Sequence, residues 1–184
     1  MNEEIEIKVS VKNLGKAEEK LRKIARFVKA KDQKDEYFMP PNKDYFAEKP
    51  TKEYFRVRNE KGKGHINYSF CHYGKDGKLL KTDEYETDIN DPETMSVILG
   101  KIGMIKKVIV EKHRKMFEYK DFEICLDEIK GLGFFVEVEA KKMMGSPEET
   151  KRKCYEILEE IGADWKDAPN MGYPDMVIRK EKIG

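Results

Sequence analysis

The chain of 184 residues is long enough for one domain with a buried core; at 39% apolar and 40% charged residues, that core is modest and the rest very polar. Thirty-seven Lys and Arg against 36 Asp and Glu give a net charge of +1, without the basic excess that a dedicated nucleic-acid binder needs. No run approaches a membrane-spanning length, the acidic start is unlike a signal peptide, and three cysteines without metal-ligand spacing read as reduced thiols, so a cytoplasmic protein with no membrane or nucleic-acid partner is expected.

The opening stretch Glu4-Ile5-Glu6-Ile7-Lys8-Val9 alternates as a strand does, with Glu4, Glu6, Lys8 and Ser10 on one face and Ile5, Ile7, Val9 and Val11 on the other. Asn13 is a candidate cap for a helix running to about Val28, whose apolar positions Leu14, Leu21, Ile24, Ala25 and Val28 recur at helical spacing. Gln33 to Met39 reads as a strand, and Pro40-Pro41-Asn42 breaks it into a polar, mobile loop reaching Pro50. Strands follow at Glu53 to Glu60, Ile66 to His72 and Leu80 to Ile89, with a hairpin loop at Gly74-Lys75-Asp76-Gly77.

Asp91-Pro92 opens a second helix that ends near Gly103. Val108 to Tyr119, Phe122 to Glu128 and Phe134 to Lys141 are three more strands, and Ser146-Pro147-Glu148-Glu149 is a capping box that opens a helix to Gly162. A tail follows, with Trp165 and the stretch Met171 to Met176. Eight strands with hairpin connections predict an α+β fold over residues 1–184: a closed or nearly closed eight-stranded antiparallel β-barrel with helices packed outside.

Strand parity then collects the charges. Acidic pairs stand two apart at Glu4/Glu6, Glu84/Glu86 and Glu137/Glu139, and basic pairs at Arg56/Arg58 and Lys112/Arg114. The last strand's alternate positions, Phe134, Val136, Val138 and Ala140, are apolar enough to pack under a helix, which turns the charged faces inward. An interior lined with both signs is costly unless the charges pair or hold a ligand. A polyphosphate with a hard divalent cation meets both needs, since carboxylates take the cation while Arg and Lys take phosphate oxygens. A solvated polar face is the ordinary alternative for any single pair.

Glu4-Ile5-Glu6-Ile7-Lys8 resembles the ExExK signature of the CYTH superfamily, which joins class IV adenylyl cyclases and thiamine-triphosphatase-like enzymes. The resemblance continues in order through Asp35-Glu36-Tyr37-Phe38, Phe55-Arg56-Val57-Arg58, Glu111-Lys112-His113-Arg114, the segment Leu126 to Glu139 and Tyr173-Pro174-Asp175. It implies an eight-stranded antiparallel tunnel in which Glu4, Glu6, Asp127, Glu137 and Glu139 surround Mg²⁺ or Mn²⁺. Lys8, Arg56, Arg58, Lys112 and Arg114 would bind the triphosphate of a small-molecule substrate, with Glu4, Glu6 and Lys8 at the chemistry. It leaves a homodimer open.

The chain departs from the family pattern where a phosphate-binding Lys is expected, since Asn67-Tyr68-Ser69-Phe70-Cys71 stands there. Lys81-Thr82-Asp83 replaces an expected Arg, with Lys81 long enough to compensate, and Gly172 replaces a Ser. The histidines, Tyr37 and Met143-Met144 read as packing or surface residues, and Cys125 borders the cavity without acting there. Three functions follow: cyclisation of ATP to cyclic AMP and pyrophosphate, hydrolysis of an inorganic, thiamine or nucleoside triphosphate, or binding of polyphosphate without turnover.

Overall fold

The computed structural model describes residues 2–164, 169 and 171–182; Trp165 lies outside them. Its strands are β1 (Asn2–Val11), β2 (Arg26–Met39), β3 (Glu53–Glu60), β4 (Lys63–Tyr73), β5 (Leu79–Ile89), β6 (Ile105–Tyr119), β7 (Phe122–Ile129) and β8 (Gly133–Ala140). The helices are α1 (Gly15–Ile24), α2 (Pro92–Lys101), α3 (Pro147–Ile161) and α4 (Tyr173–Glu181). The strands close into an antiparallel barrel in the order β1-β5-β4-β3-β2-β6-β7-β8. Within it the chain forms two compact units, one built on Asp32–Glu111 with α4, the other on Glu4–Lys31 with the chain from Lys112 through α3.

In the second unit, Ile7, Val9, Phe117, Ile124, Leu126, Val136 and Val138 are buried against Leu21 of α1 and Cys154, Ile157, Leu158 and Ile161 of α3. Each such side chain contributes about 1.5–3 kcal/mol by leaving water. Helices thus cover the apolar face of β8, as the alternation predicts. The α3 helix is held at both ends: Ser146 and Glu149 form the reciprocal capping box, and Gly162 stops it in the left-handed conformation at φ 76°, which glycine adopts without a Cβ clash. In the first unit, Phe38, Val57 and Leu99 make a smaller core beneath α2, whose Asp91 cap accepts from the Thr94 N–H.

Four expectations change. The first helix ends at Ile24 rather than Val28 because Ala25 turns extended and the chain enters β2, where Phe27 packs edge-on against Phe117 at 5.4 Å between centroids. Aromatic and β-branched residues such as Phe27-Val28 fit a pleated surface better than another helical turn. Leu14, not Asn13, occupies its N-cap position, although Asn13 Oδ1 does accept the Gly15 N–H at 3.1 Å.

The tail contains α4, with Pro174 in its first turn and Asp175 buried there. That carboxylate accepts from Tyr54 Oη at 2.5 Å and Thr51 Oγ1 at 2.6 Å, and pairs with Lys49. The segment after β2 is pinned rather than loose: Phe46 is buried with its ring 5.9 Å from that of Tyr54, and Asp44 pairs with Lys107 at 3.0 Å.

Candidate functional site

Strand register explains how the charges meet. Lys8 of β1 lies directly opposite Glu137 of β8, Glu6 opposite Glu139, and Arg114 of β6 opposite Asp127 of β7. Residues opposite one another in register share a face. The result in this unit is a chain of alternating charges. Asp127 takes both prongs of the Arg114 fork at 2.7 and 2.6 Å, and Arg114 Nη2 also reaches Glu137 Oε1 at 2.9 Å. Glu137 Oε2 lies 3.3 Å from Lys8 Nζ, which donates to Glu6 Oε1 at 3.0 Å.

Side-chain exposure rises along this chain from 0% at Asp127 through 7% at Glu137 to 27% at Glu6, so its open end is the Glu6 end. Burial by itself would lower the pKa of Lys8 and Arg114, but the carboxylates outweigh it and hold both above their ordinary values. Burial pushes Glu137 up, and Arg114, Lys8 and Lys112 together hold it well below the usual carboxylate range. Lys112 is buried as well and acts on Glu137 from the same face.

The other unit carries the arginine pair. Arg58 forks onto buried Asp35 through Nε at 2.6 Å and Nη2 at 2.8 Å. Arg56 meets its carboxylates only at long range, Asp35 at 3.9 Å and Glu86 at 3.4 Å, and its buried Nε has no hydrogen-bond partner. Tyr37 lies opposite Arg56, and burial raises its phenol pKa, so it is a neutral neighbour.

On β4 and β5 the same face continues through Asn67 opposite Glu86, Ser69 opposite Glu84 and Cys71 opposite Thr82. Cys71 is on that face, buried with Sγ 3.8 Å from Thr82 Oγ1. Lys81 does not compensate: it lies opposite His72, one residue out of phase with Thr82 and Glu84, and pairs with Asp83 at 3.6 Å. Side chains one residue apart on a strand point to opposite faces.

The predicted residues thus come together as two sets. Glu6, Lys8, Arg114, Asp127 and Glu137 are linked directly in one unit, with Glu4, Glu139 and Lys112 on the same strand parity. Arg56 and Arg58 stand together in the other. Sequence reasoning missed Asp35 as the counter-ion of Arg58, and the polar group Asn67, Ser69 and Glu84. Both needed the cross-strand register, which a single strand does not reveal.

A divalent cation can be tested against these donors. Glu4, Glu6 and Glu139 offer hard carboxylate oxygens, and Glu6 directly opposite Glu139 is a like-charged pair that a cation would relieve. Their chemistry fits Mg²⁺ or Mn²⁺. Among the described residues, no three acidic, His or Cys side chains already converge as a ligand set, because Glu6 and Glu137 are turned onto Lys8.

A family model for the CYTH domain matches residues 2–168. The chain belongs to the CYTH family. This CYTH chain is 33% identical over 162 residues to a Methanocaldococcus jannaschii protein named "Putative adenylate cyclase", covering 87% of this chain and 88% of that one. Among solved structures, a Pyrococcus horikoshii OT3 protein superposes with a TM-score of 0.78 at 24% identity, over 94% of this chain and 98% of that one. A Hippeastrum adenylyl cyclase-like protein, described as revealing a dominant triphosphatase activity, superposes with a TM-score of 0.65 at 16% identity, over 98% and 96%. At these identities the two structures show the shared CYTH fold.

Proposed function

We propose that this CYTH protein is a metal-dependent enzyme acting on triphosphates, with cyclisation of ATP to cyclic AMP and pyrophosphate as its reaction. The observation that carries the reading is the buried chain of acidic and basic side chains from Asp127 to Glu6, whose cost is justified by a charged ligand. The name of the Methanocaldococcus jannaschii relative supports the cyclase assignment.

In the unit of β1 and β8, Lys8, Lys112 and Arg114 would take phosphate oxygens, and Asp127 would hold the Arg114 fork in place. Glu4, Glu6, Glu137 and Glu139, with Asp127 behind them, would hold Mg²⁺ or Mn²⁺, which when bound neutralises charge developing on the phosphates. In the other unit Arg56 would be the phosphate ligand, while Arg58 is spent on Asp35. The ribose 3′-oxygen then attacks the α-phosphorus, and its proton passes to a carboxylate of the Glu4/Glu6 pair. The new P–O bond closes the ring as the α–β anhydride bond breaks and pyrophosphate leaves.

Hydrolysis of the triphosphate is the second reading, favoured by the activity described for the Hippeastrum protein of the same fold. Three free, buried cysteines suit a reducing cytoplasm. Purified protein incubated with Mg²⁺ or Mn²⁺ and either ATP or tripolyphosphate separates the readings. Cyclic AMP with pyrophosphate supports cyclisation, whereas orthophosphate alone would support hydrolysis; binding without turnover of either ligand sinks the enzymatic assignment.

A further inference from the structure

The α2 helix is apolar on two sides. Met95 and Leu99 pack inward with Phe38 and Val57, while Val97 and Ile98 face outward with exposures of 60% and 46%. Ile102 at the helix end, 71% exposed, is the most open large hydrophobic side chain among the described residues, and Ile105 carries the surface into β6 at 42%. A helix that buries one stripe normally presents a polar or charged face to water. Apolar side chains scattered singly are ordinary on a surface, but several on neighbouring turns mark a contact.

The charges on α2 indicate what covers that face. Glu93 and Lys101 are both exposed, and each stands four residues from Val97, so the three lie one above another on one side of the helix. Two copies of α2 laid antiparallel across a twofold axis at Val97 set Glu93 of each copy against Lys101 of the other. Val97 then meets Val97 between the two pairs. The same arrangement brings the negative end of each helix dipole to the positive end of the other. A twofold contact uses one surface twice, and this surface is complementary to itself. Beside Val97, Ser96 and Gly100 are small, and a Cβ on Gly100 would meet nothing within 4 Å. A groove of about 470 Å³ opens there between the helix and Phe38, and in this register Ile98 of the second copy comes opposite Ser96 at its edge.

We propose that α2 is the face on which two copies of this chain pair, antiparallel about Val97. The ten residues of the helix span about 15 Å, whereas a standard interface takes about 800 Å² from each partner. Ile102 and Ile105 lengthen the contact beyond the helix end, but the seam is short. The dimer is therefore a weak one, forming in the micromolar range and separating on dilution.

The test is sedimentation of the full chain from about 1 to 200 μM, with the wild type shifting from the mass of one chain to that of two. Val97→Glu sets two carboxylates together at the axis and should weaken association at least about tenfold. Val97 is exposed in the single chain, so circular dichroism should show this variant folded. Glu93→Lys and Lys101→Glu each turn both cross-copy pairs into repulsions, and each alone should associate about tenfold more weakly than the wild type. An equimolar mixture of these two variants pairs opposite charges again and should recover association to within about threefold, which damage to the fold of either chain would not allow. A chain that stays monomeric throughout overturns the proposal, as does a dimer that Val97→Glu leaves intact. Failure of the mixture to recover overturns it too.

Discussion

Arg58 and Arg56 stand two residues apart on one strand face, yet only Arg58 is closed onto a carboxylate, its fork meeting Asp35 at 2.6 and 2.8 Å while Arg56 keeps 3.9 Å from the same group. The two guanidiniums are therefore in different energetic states before any ligand arrives. Arg58 is committed to the fold, and Arg56 is held in reserve.

That difference separates their variants. Arg58→Ala leaves Asp35 buried and uncompensated, a loss of about 3–5 kcal/mol measurable by urea unfolding. Arg56→Ala should cost less than about 1 kcal/mol in stability but weaken triphosphate binding at least tenfold. Equal destabilisation by both would refute this division of labour.

Glu137 joins Arg114 to Lys8, so its neutral isostere tests the charge chain at its middle. Glu137→Gln should abolish metal-dependent turnover and cost about 1–3 kcal/mol of stability, with the far-UV circular dichroism spectrum retained. Full turnover in this variant would show that the carboxylate takes no part in holding the cation or substrate.

Acid should loosen the same chain. The Glu137 carboxyl, opposed by burial but held down by Arg114, Lys8 and Lys112, lies far below its ordinary value of 4.5. A carboxyl depressed in the folded state contributes its full stability above the unfolded value and loses it as pH falls toward the folded one. Urea midpoints should thus be steady from about pH 7 to 5 and fall below about pH 4. A midpoint that rises on acidification contradicts the arrangement.

Cys71 faces the charged side of β4, so Cys71→Lys places an ammonium opposite Thr82, next along that face from Ser69 and Glu84. Affinity for tripolyphosphate should rise about tenfold, at about 1–3 kcal/mol in stability from overfilling a buried position. Unchanged affinity would mean that the substrate phosphates do not reach this part of the strand.

The C-terminal helix hangs on one carboxylate. Asp175 is the acceptor for Tyr54 and Thr51, and its field adds to burial in pushing the Tyr54 phenol far above its ordinary pKa. Asp175→Ala should destabilise the protein by about 1–3 kcal/mol by orphaning those hydroxyls. Hydrogen exchange in α4 should quicken more than in α3.

The strands, the inward turn of the charged faces and the family membership were legible from residue order, because alternation and capping are local. Ile5, Ile7 and Val9 had to be buried once Glu4, Glu6 and Lys8 took the other side, and Ser146 with Glu149 had to open a helix. Partnership was not legible. That Arg58 closes on Asp35 and that Arg114 spends its fork on Asp127 both follow from cross-strand register, which pairs residues far apart in the chain. The end of α1 at Ile24 and the helix at Tyr173–Glu181 were decided the same way, by the packing of Phe27 on Phe117 and the anchoring of Asp175 on Tyr54. Local sequence sets which face a side chain takes; only the closed sheet decides what it meets there.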